Sequence, residues 1–167
     1  MLCLSYIRII ELEINERIII PFCRNLNINQ LCADFTTTLD EKEKKKFYDT
    51  WGFLTSKLAG VDVVRHEGIE LGTIFYLFDS LKKGKFKKGK NKVFAELLKN
   101  EVVQYLSKDG LDALETGKLA EMVEPKVRKK YRNPPAHTKY VGLEVALECR
   151  EYVEKELLNL AKYCLWS

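Results

Sequence analysis

Arg132, Asn133 and His137 are the residues of this chain best suited to chemistry on a phosphate. They lie in Tyr131-Arg132-Asn133-Pro134-Pro135-Ala136-His137-Thr138-Lys139-Tyr140, which holds one of only two histidines. A guanidinium presents a fixed fork of N–H donors, and an imidazole can take or give a proton near neutral pH. Asn133-Pro134 is a helix-start signal. Asparagine caps the first turn, and a proline just inside it loses only an N–H that has no intrahelical acceptor. On this reading a last helix runs from about 134 to 164, with His137 in its first turn and Arg132 just before the cap. Unpaired N–H groups at such a start favour an anion and disfavour imidazolium. The stretch therefore predicts an anion site with a neutral histidine beside it.

Arg132 also ends a run of cations, Lys126, Arg128, Lys129 and Lys130. Charge along the chain is uneven. Residues 81–140 carry 16 basic and 7 acidic side chains, against 9 and 12 in residues 1–80 and 3 and 5 in residues 141–167. The net charge of +4 thus hides a basic segment that contains the candidate site. A polyanion is the natural partner, with solvated lysines as the plain alternative. A second basic stretch, residues 82–92, has seven lysines in eleven residues, two glycines and Phe86. It reads either as a mobile arm in which Lys85, Lys87 and Lys88 grip phosphate while Phe86 stacks on a base, or as a solvated, disordered loop.

The Arg132-Asn133-x3-His137 arrangement resembles the signature of the HEPN superfamily, in which an arginine, a polar residue and a histidine open the last long helix of an all-α domain. The resemblance is strongest over about residues 120–164. It implies a metal-independent endoribonuclease whose site combines two copies of the motif from a homodimer. It assigns Arg132, Asn133 and His137 as the catalytic set, and the two charge clusters add Lys126, Lys129, Lys130, Lys85, Lys87 and Lys88 as expected RNA-binding cations. The chemistry agrees with the residues. The RNA 2′-OH can attack its own phosphorus if a base takes its proton, an acid protonates the leaving oxygen and a cation steadies the phosphorane. One chain supplies one histidine to this site, and two chains supply two. In toxins of this family paired with a nucleotidyltransferase antitoxin, the motif continues as His-x-Tyr. Here Tyr140 falls one residue later, so that role is not carried over. An antitoxin or other protein partner remains an expectation, and a non-catalytic HEPN-like binding module is the alternative reading.

No cofactor or metal is expected. The sequence has no Walker-type loop, no Gly-x-Gly-x-x-Gly, no Gly-x-Ser-x-Gly, no His-Glu-x-x-His and no dense acidic cluster. Five cysteines without a Cys-x-x-Cys read as reduced, mostly buried thiols of a cytoplasmic protein. Charges at Arg8, Glu11, Glu13, Glu16 and Arg17 interrupt the apolar first twenty residues, which excludes a membrane span and fits an amphipathic helix.

The length of 167 residues suggests one domain, residues 1–167, and the patterning suggests an all-α, up-and-down bundle of about five to six helices. A first helix is expected over 4–20 on Ile7, Ile10, Ile14 and Ile18, widened by Ile9, Leu12, Ile19 and Ile20 and stopped by Pro21. Residues 24–39 read as a connection. A helix over 41–58 has a Thr38 or Asp40 cap, a stripe of Phe47, Trp51, Leu54 and Leu58, and a Gly60 stop. Residues 61–66 form a loop in which His66 is an exposed side chain or a second catalytic group. The apolar stretch 67–82 is the central helix. A helix over 92–107 turns Val93, Leu97, Val102 or Val103, and Leu106 inward, Asp109-Gly110 makes a turn, and Gly117 joins shorter helices before residue 130. The last helix buries Val145, Cys149, Val153, Leu157, Leu160 and Cys164, and turns Glu148, Glu151, Glu154, Lys155 and Glu156 to water. Gly142 interrupts it, as a close backbone approach from a partner subunit would require.

Overall fold

A computed structural model describes residues 2–132 and 142–165, with the backbone alone at 2–5, 128 and 132. The described residues are all-helical, with two isolated β-bridges and no strand. The helices are α1 (Leu2–Ile14), α2 (Ile20–Asn25), α3 (Ile28–Thr37), α4 (Glu41–Ala59), α5 (Leu71–Leu81), α6 (Lys90–Val102), α7 (Lys108–Thr116), α8 (Lys118–Met122), α9 (Pro125–Val127) and α10 (Leu143–Tyr163). The chain is therefore cut into more and shorter helices than the five or six expected. None is long and apolar enough to cross a membrane. One hydrophobic core joins them. Helix α5 is its centre, packed on α4, α6, α7 and α8, while α1 lies along α10.

Pro21 does not end the first helix. A π-helical turn, Asn15–Ile19, links α1 to α2, so the rod is unbroken from Leu2 to Asn25. The N–H of Ile20 reaches back to the carbonyl of Asn15, five residues away. That wider turn precedes the proline, which has no N–H to donate and would crowd the carbonyl four residues back in a regular helix. Ile7, Ile10, Ile14, Ile18, Ile19 and Ile20 are buried as expected, while Ile9 and Leu12 stay exposed.

Two polar residues sit in this apolar rod and fix the start of α5. The Asn15 amide donates to the Ile69 carbonyl at 2.9 Å and accepts from the Ile69 N–H at 2.8 Å, a pairing like that between two strands. Its Nδ2 also donates to the Glu11 carbonyl at 2.9 Å. Glu11 Oε2 accepts from the Leu71 N–H at 2.9 Å, placing a carboxylate on the first turn of α5, where the helix dipole favours it. Both side chains are buried. Residues 67–70 are thereby held extended, so α5 starts at Leu71 and not at 67. Gly68 lies against Asn15: a Cβ there would come within 2.8 Å of the asparagine Cβ. We expect Asn15→Ala to lower stability by about 2–3 kcal/mol, because it strips buried Ile69 of both hydrogen bonds. Urea unfolding followed by circular dichroism would measure this, and an unchanged midpoint would mean that water replaces the amide without cost.

Other departures have local causes. Residues 28–37 are helical, not a connection. Asn27 caps them by accepting from the Gln30 N–H at 3.0 Å, and Ile28, Leu31, Cys32 and Phe35 face the core. The threonine run does not break this helix, because Thr36, Thr37 and Thr38 donate their hydroxyls to carbonyls of their own last turn. Helix α4 matches its expectation, with Asp40 in a capping box with Glu43 and all four stripe residues buried. In α6, Val102 is buried as expected, and so is Leu106 just beyond it, but the first turns present Phe94, Ala95 and Leu98 to the core and leave Val93 and Leu97 exposed. Gly110 lies inside α7, not in a turn before it. Gly117, at φ 88°, is the joint to α8.

Among the described residues the last long helix runs from Leu143, and the start expected at 134 lies outside them. Gly142 is the N-cap of the described helix, with φ −59° and ψ 156°. An added Cβ at Gly142 would meet nothing within 4 Å among the described residues. The expected stripe is largely borne out. Cys149, Val153, Leu160 and Cys164 are buried, and Val145 and Leu157 pack partly against the core. Glu156 belongs to the buried side, not the wet one, where it accepts from Asn159 Nδ2 at 3.0 Å.

Candidate functional site

The approach to the motif is anchored. Pro125–Val127 forms one α-turn, and Arg128–Arg132 continues it as a π-turn packed against α1. Val127 and Tyr131 are the buried side chains of this piece. The Tyr131 ring packs 5.7 Å from that of Tyr152 on α10, and Tyr152 donates its hydroxyl to the Met122 carbonyl at 2.6 Å. Burial raises the Tyr152 phenol well above its ordinary value, so it stays a donor. Lys130 sits 5.1 Å over the Tyr131 ring and pairs with Glu148. Two aromatic rings and an ion pair thus fix the backbone that delivers Arg132. The Arg132 side chain, Asn133 and His137 lie outside the described residues, as does the helix start expected at Asn133-Pro134.

The expected RNA-binding cations divide into two groups. Lys126 pairs with Glu124, Lys130 with Glu148, and Lys85 with Asp79. Lys87, Lys88 and Lys129 are exposed and form no ion pair among the described residues. By position they divide differently: Lys126, Lys129 and Lys130 lie on the segment that packs against α1, and Lys85, Lys87 and Lys88 on the stretch between α5 and α6.

The lysine-rich stretch is folded against the protein. Asp79, in the last turns of α5, holds Lys82 at 2.6 Å and also Lys85. The Lys83 N–H donates to the Glu115 carbonyl at 3.1 Å. The Phe86 ring lies 5.2 Å from that of Trp51, so the core holds one side of it and the ring is not on a free arm. Sequence reasoning missed Asp79. Its signal was an acid three residues before Lys82 on one helix face. Lys99 and Glu115, which pair across the same region, carry no local signal because α6 and α7 bring them together.

Asp79 gives this fold a pH dependence. Burial pushes its carboxyl up, but hydrogen bonds and charge from Lys82 and Lys85 outweigh this and leave it below the ordinary value. A depressed carboxyl stabilises fully above its unfolded-state value and loses that contribution as pH falls through the folded one. Asp79→Asn at neutral pH should therefore loosen the stretch and shift Trp51 emission, in the same direction as acidifying the wild type below about pH 4. The stability loss should be at most about 1 kcal/mol, since both lysines are partly exposed and screened. Identical emission from variant and wild type would show that Phe86 and the Lys83–Glu115 backbone bond hold the stretch without Asp79.

His66 is the last residue of a four-residue turn closed by reciprocal Asp62–Glu67 backbone bonds of 3.0 Å. Its φ of 55° belongs to that turn, and Asp62 Oδ1 supports it by accepting from Val64 and Arg65. The ring is exposed, and its Nδ1 lies 3.0 Å from Glu16 Oε2. Among the described residues, no group of His, Cys, Asp and Glu has the geometry to hold a metal ion. Cys23, Cys32 and Cys164 are free thiols, and burial pushes Cys23 up to about 12. Set beside protein-family models, curated proteins and solved structures, the chain matches none of them.

Proposed function

We propose that this chain is a metal-independent endoribonuclease of HEPN type, acting as a homodimer in which two copies of the motif form one site. The observation that carries the proposal is the spacing Arg132-Asn133-x3-His137, directly after an anchored turn. Supporting it are the all-helical bundle and the net positive charge of residues 81–140. Two helices that pack together, α1 and α10, also leave Ile9, Leu12, Leu143 and Leu147 exposed, as a dimer contact would use.

In this reading, one imidazole takes the proton of a ribose 2′-OH as the 2′-oxygen bonds to phosphorus. The bond from phosphorus to the 5′-oxygen breaks, and a protonated His137 from the second copy gives that oxygen its proton. Arg132 steadies the charge on the two non-bridging oxygens. Asn133 orients the phosphate or caps the helix. The products are a 2′,3′-cyclic phosphate and a 5′-hydroxyl. The test is single-stranded RNA incubated with the protein in EDTA, with end-group analysis of the fragments. Intact RNA, or fragments with 5′-phosphates, would refute it.

A further inference from the structure

The folded lysine stretch and the flank of α6 enclose an open cleft of about 440 Å³. Lys82, Lys83 and Lys87 stand on one wall and Lys92 and Lys99 on the other, with Leu81, Phe86 and Ala95 between them. Carboxylates answer three of these five ammonium groups: Asp79 for Lys82, Glu96 for Lys92 and Glu115 for Lys99. Lys83 and Lys87 form no ion pair among the described residues, and neither do Lys88 and Lys90 just outside the cleft. Like charges on facing walls repel, and the chain could have relaxed this by letting the stretch swing into water. It does the opposite. Asp79, the Glu115 carbonyl and Trp51 each pull the stretch inward. Positive charge is therefore held in place before any ligand arrives, which lowers the ordering cost of binding an anion.

We propose that this cleft binds single-stranded nucleic acid, taking a base against Leu81, Phe86 and Ala95 and successive phosphates on Lys83 and Lys87. A cationic rim around an apolar floor matches a nucleotide's charged and flat parts. A lone inorganic anion would use only the rim. The site uses none of the motif residues and needs no cleavage to act. It is therefore testable whether or not the chain cuts RNA.

The probe is a 2′-O-methyl oligonucleotide, which has no 2′-OH to attack and cannot be cut by the proposed route. Binding is read from the emission of Trp51, which touches Phe86, in a Trp166→Phe background. Lys83→Ala combined with Lys87→Ala should weaken binding about tenfold at physiological salt. It should also flatten the plot of log affinity against log salt by about 1.4, the value for two single-strand phosphate contacts. Lys45→Ala combined with Lys46→Ala, which removes the same charge from the exposed face of α4, should change neither. A nucleoside triphosphate and inorganic triphosphate serve as competitors. Displacement by the nucleotide but not by triphosphate supports the apolar floor, and equal displacement overturns that part. Absence of binding, or equal weakening in the two double variants, overturns the site. Loss of RNA cleavage with oligonucleotide binding intact would count against the nuclease reading alone.

Discussion

Gly110→Ala should cost about 3 kcal/mol or more and lower the melting temperature by roughly 10 °C. The reason is a backbone collision that no rotamer can relieve. A Cβ at 110 would stand 2.9 Å from the Tyr163 carbonyl carbon, closer still to its oxygen, and 3.1 Å from Leu106 Cβ. Neither partner can move freely. The Tyr163 carbonyl accepts from the Ser107 N–H at 2.8 Å, and the Ser107 hydroxyl donates to the Lys162 carbonyl. Ser107 Oγ also accepts from the Gly110 N–H at 3.1 Å, capping α7. Leu165 donates its N–H to the Tyr105 carbonyl at 3.0 Å. The end of α10 is thus clamped to the start of α7, and parting them breaks bonds on both. Alanine's better helix propensity, about 1 kcal/mol over glycine, offsets only part of this. Gly142→Ala is the control, because among the described residues nothing lies within 4 Å of an added Cβ there and its φ of −59° suits any residue. Its stability should change by less than about 0.5 kcal/mol. Thermal and urea unfolding of both variants would decide, and a Gly110→Ala protein as stable as wild type would mean that the α7–α10 clamp gives way cheaply.

That clamp marks where the sequence stops being legible. Local periodicity identified α4, the buried stripe of α10 and the joint at Gly117, because each is written in residues within one or two turns of each other. It failed where distant pieces meet. Glu11 looked like an interruption of an apolar helix, and Asn15 drew no reading at all. Their spacing of four put them on the buried face with Ile7, Ile14 and Ile18, and a polar pair on such a face must find partners. The partners were some 54 to 60 residues away, at Ile69 and Leu71, and no local pattern names them. Helix α6 failed for a different reason. Val93 and Leu97 make as good a stripe as Phe94 and Leu98, and only the aromatic cluster of Phe35, Phe47 and Trp51 selects the latter.

The candidate site divides in the same way. Its basic character was plain from charge counts, but the pairing of Lys85, Lys126 and Lys130 with carboxylates was not, because two of the three acids come from other elements. A lysine-rich run with two glycines looked unable to fold alone. It folds because Phe86 can reach Trp51 and because one buried-side aspartate answers two of its cations.

His137→Gln should lower the rate of RNA cleavage by at least about a hundredfold with little change in stability, the range for loss of a general acid or base. Glutamine keeps the approximate size and a hydrogen-bonding end but cannot carry a proton between substrate atoms. Arg132→Lys should cost a comparable factor. Lysine keeps the charge but loses the fork that can hold two phosphoryl oxygens at once. The two variants should differ in pH response. With His137 present, base and acid forms of the ring must coexist, so the wild-type and Arg132→Lys profiles should both be bell-shaped. Residual activity of His137→Gln should lose that shape. The composite site makes a further demand. If one pocket needs both histidines of a dimer, equal mixing of wild type with His137→Gln after subunit exchange should leave about a quarter of the activity. Independent sites in each chain would leave about half. Cleavage by His137→Gln at the wild-type rate would remove the imidazole from the chemistry. A half-activity mixture would keep the imidazole but confine each site to a single chain.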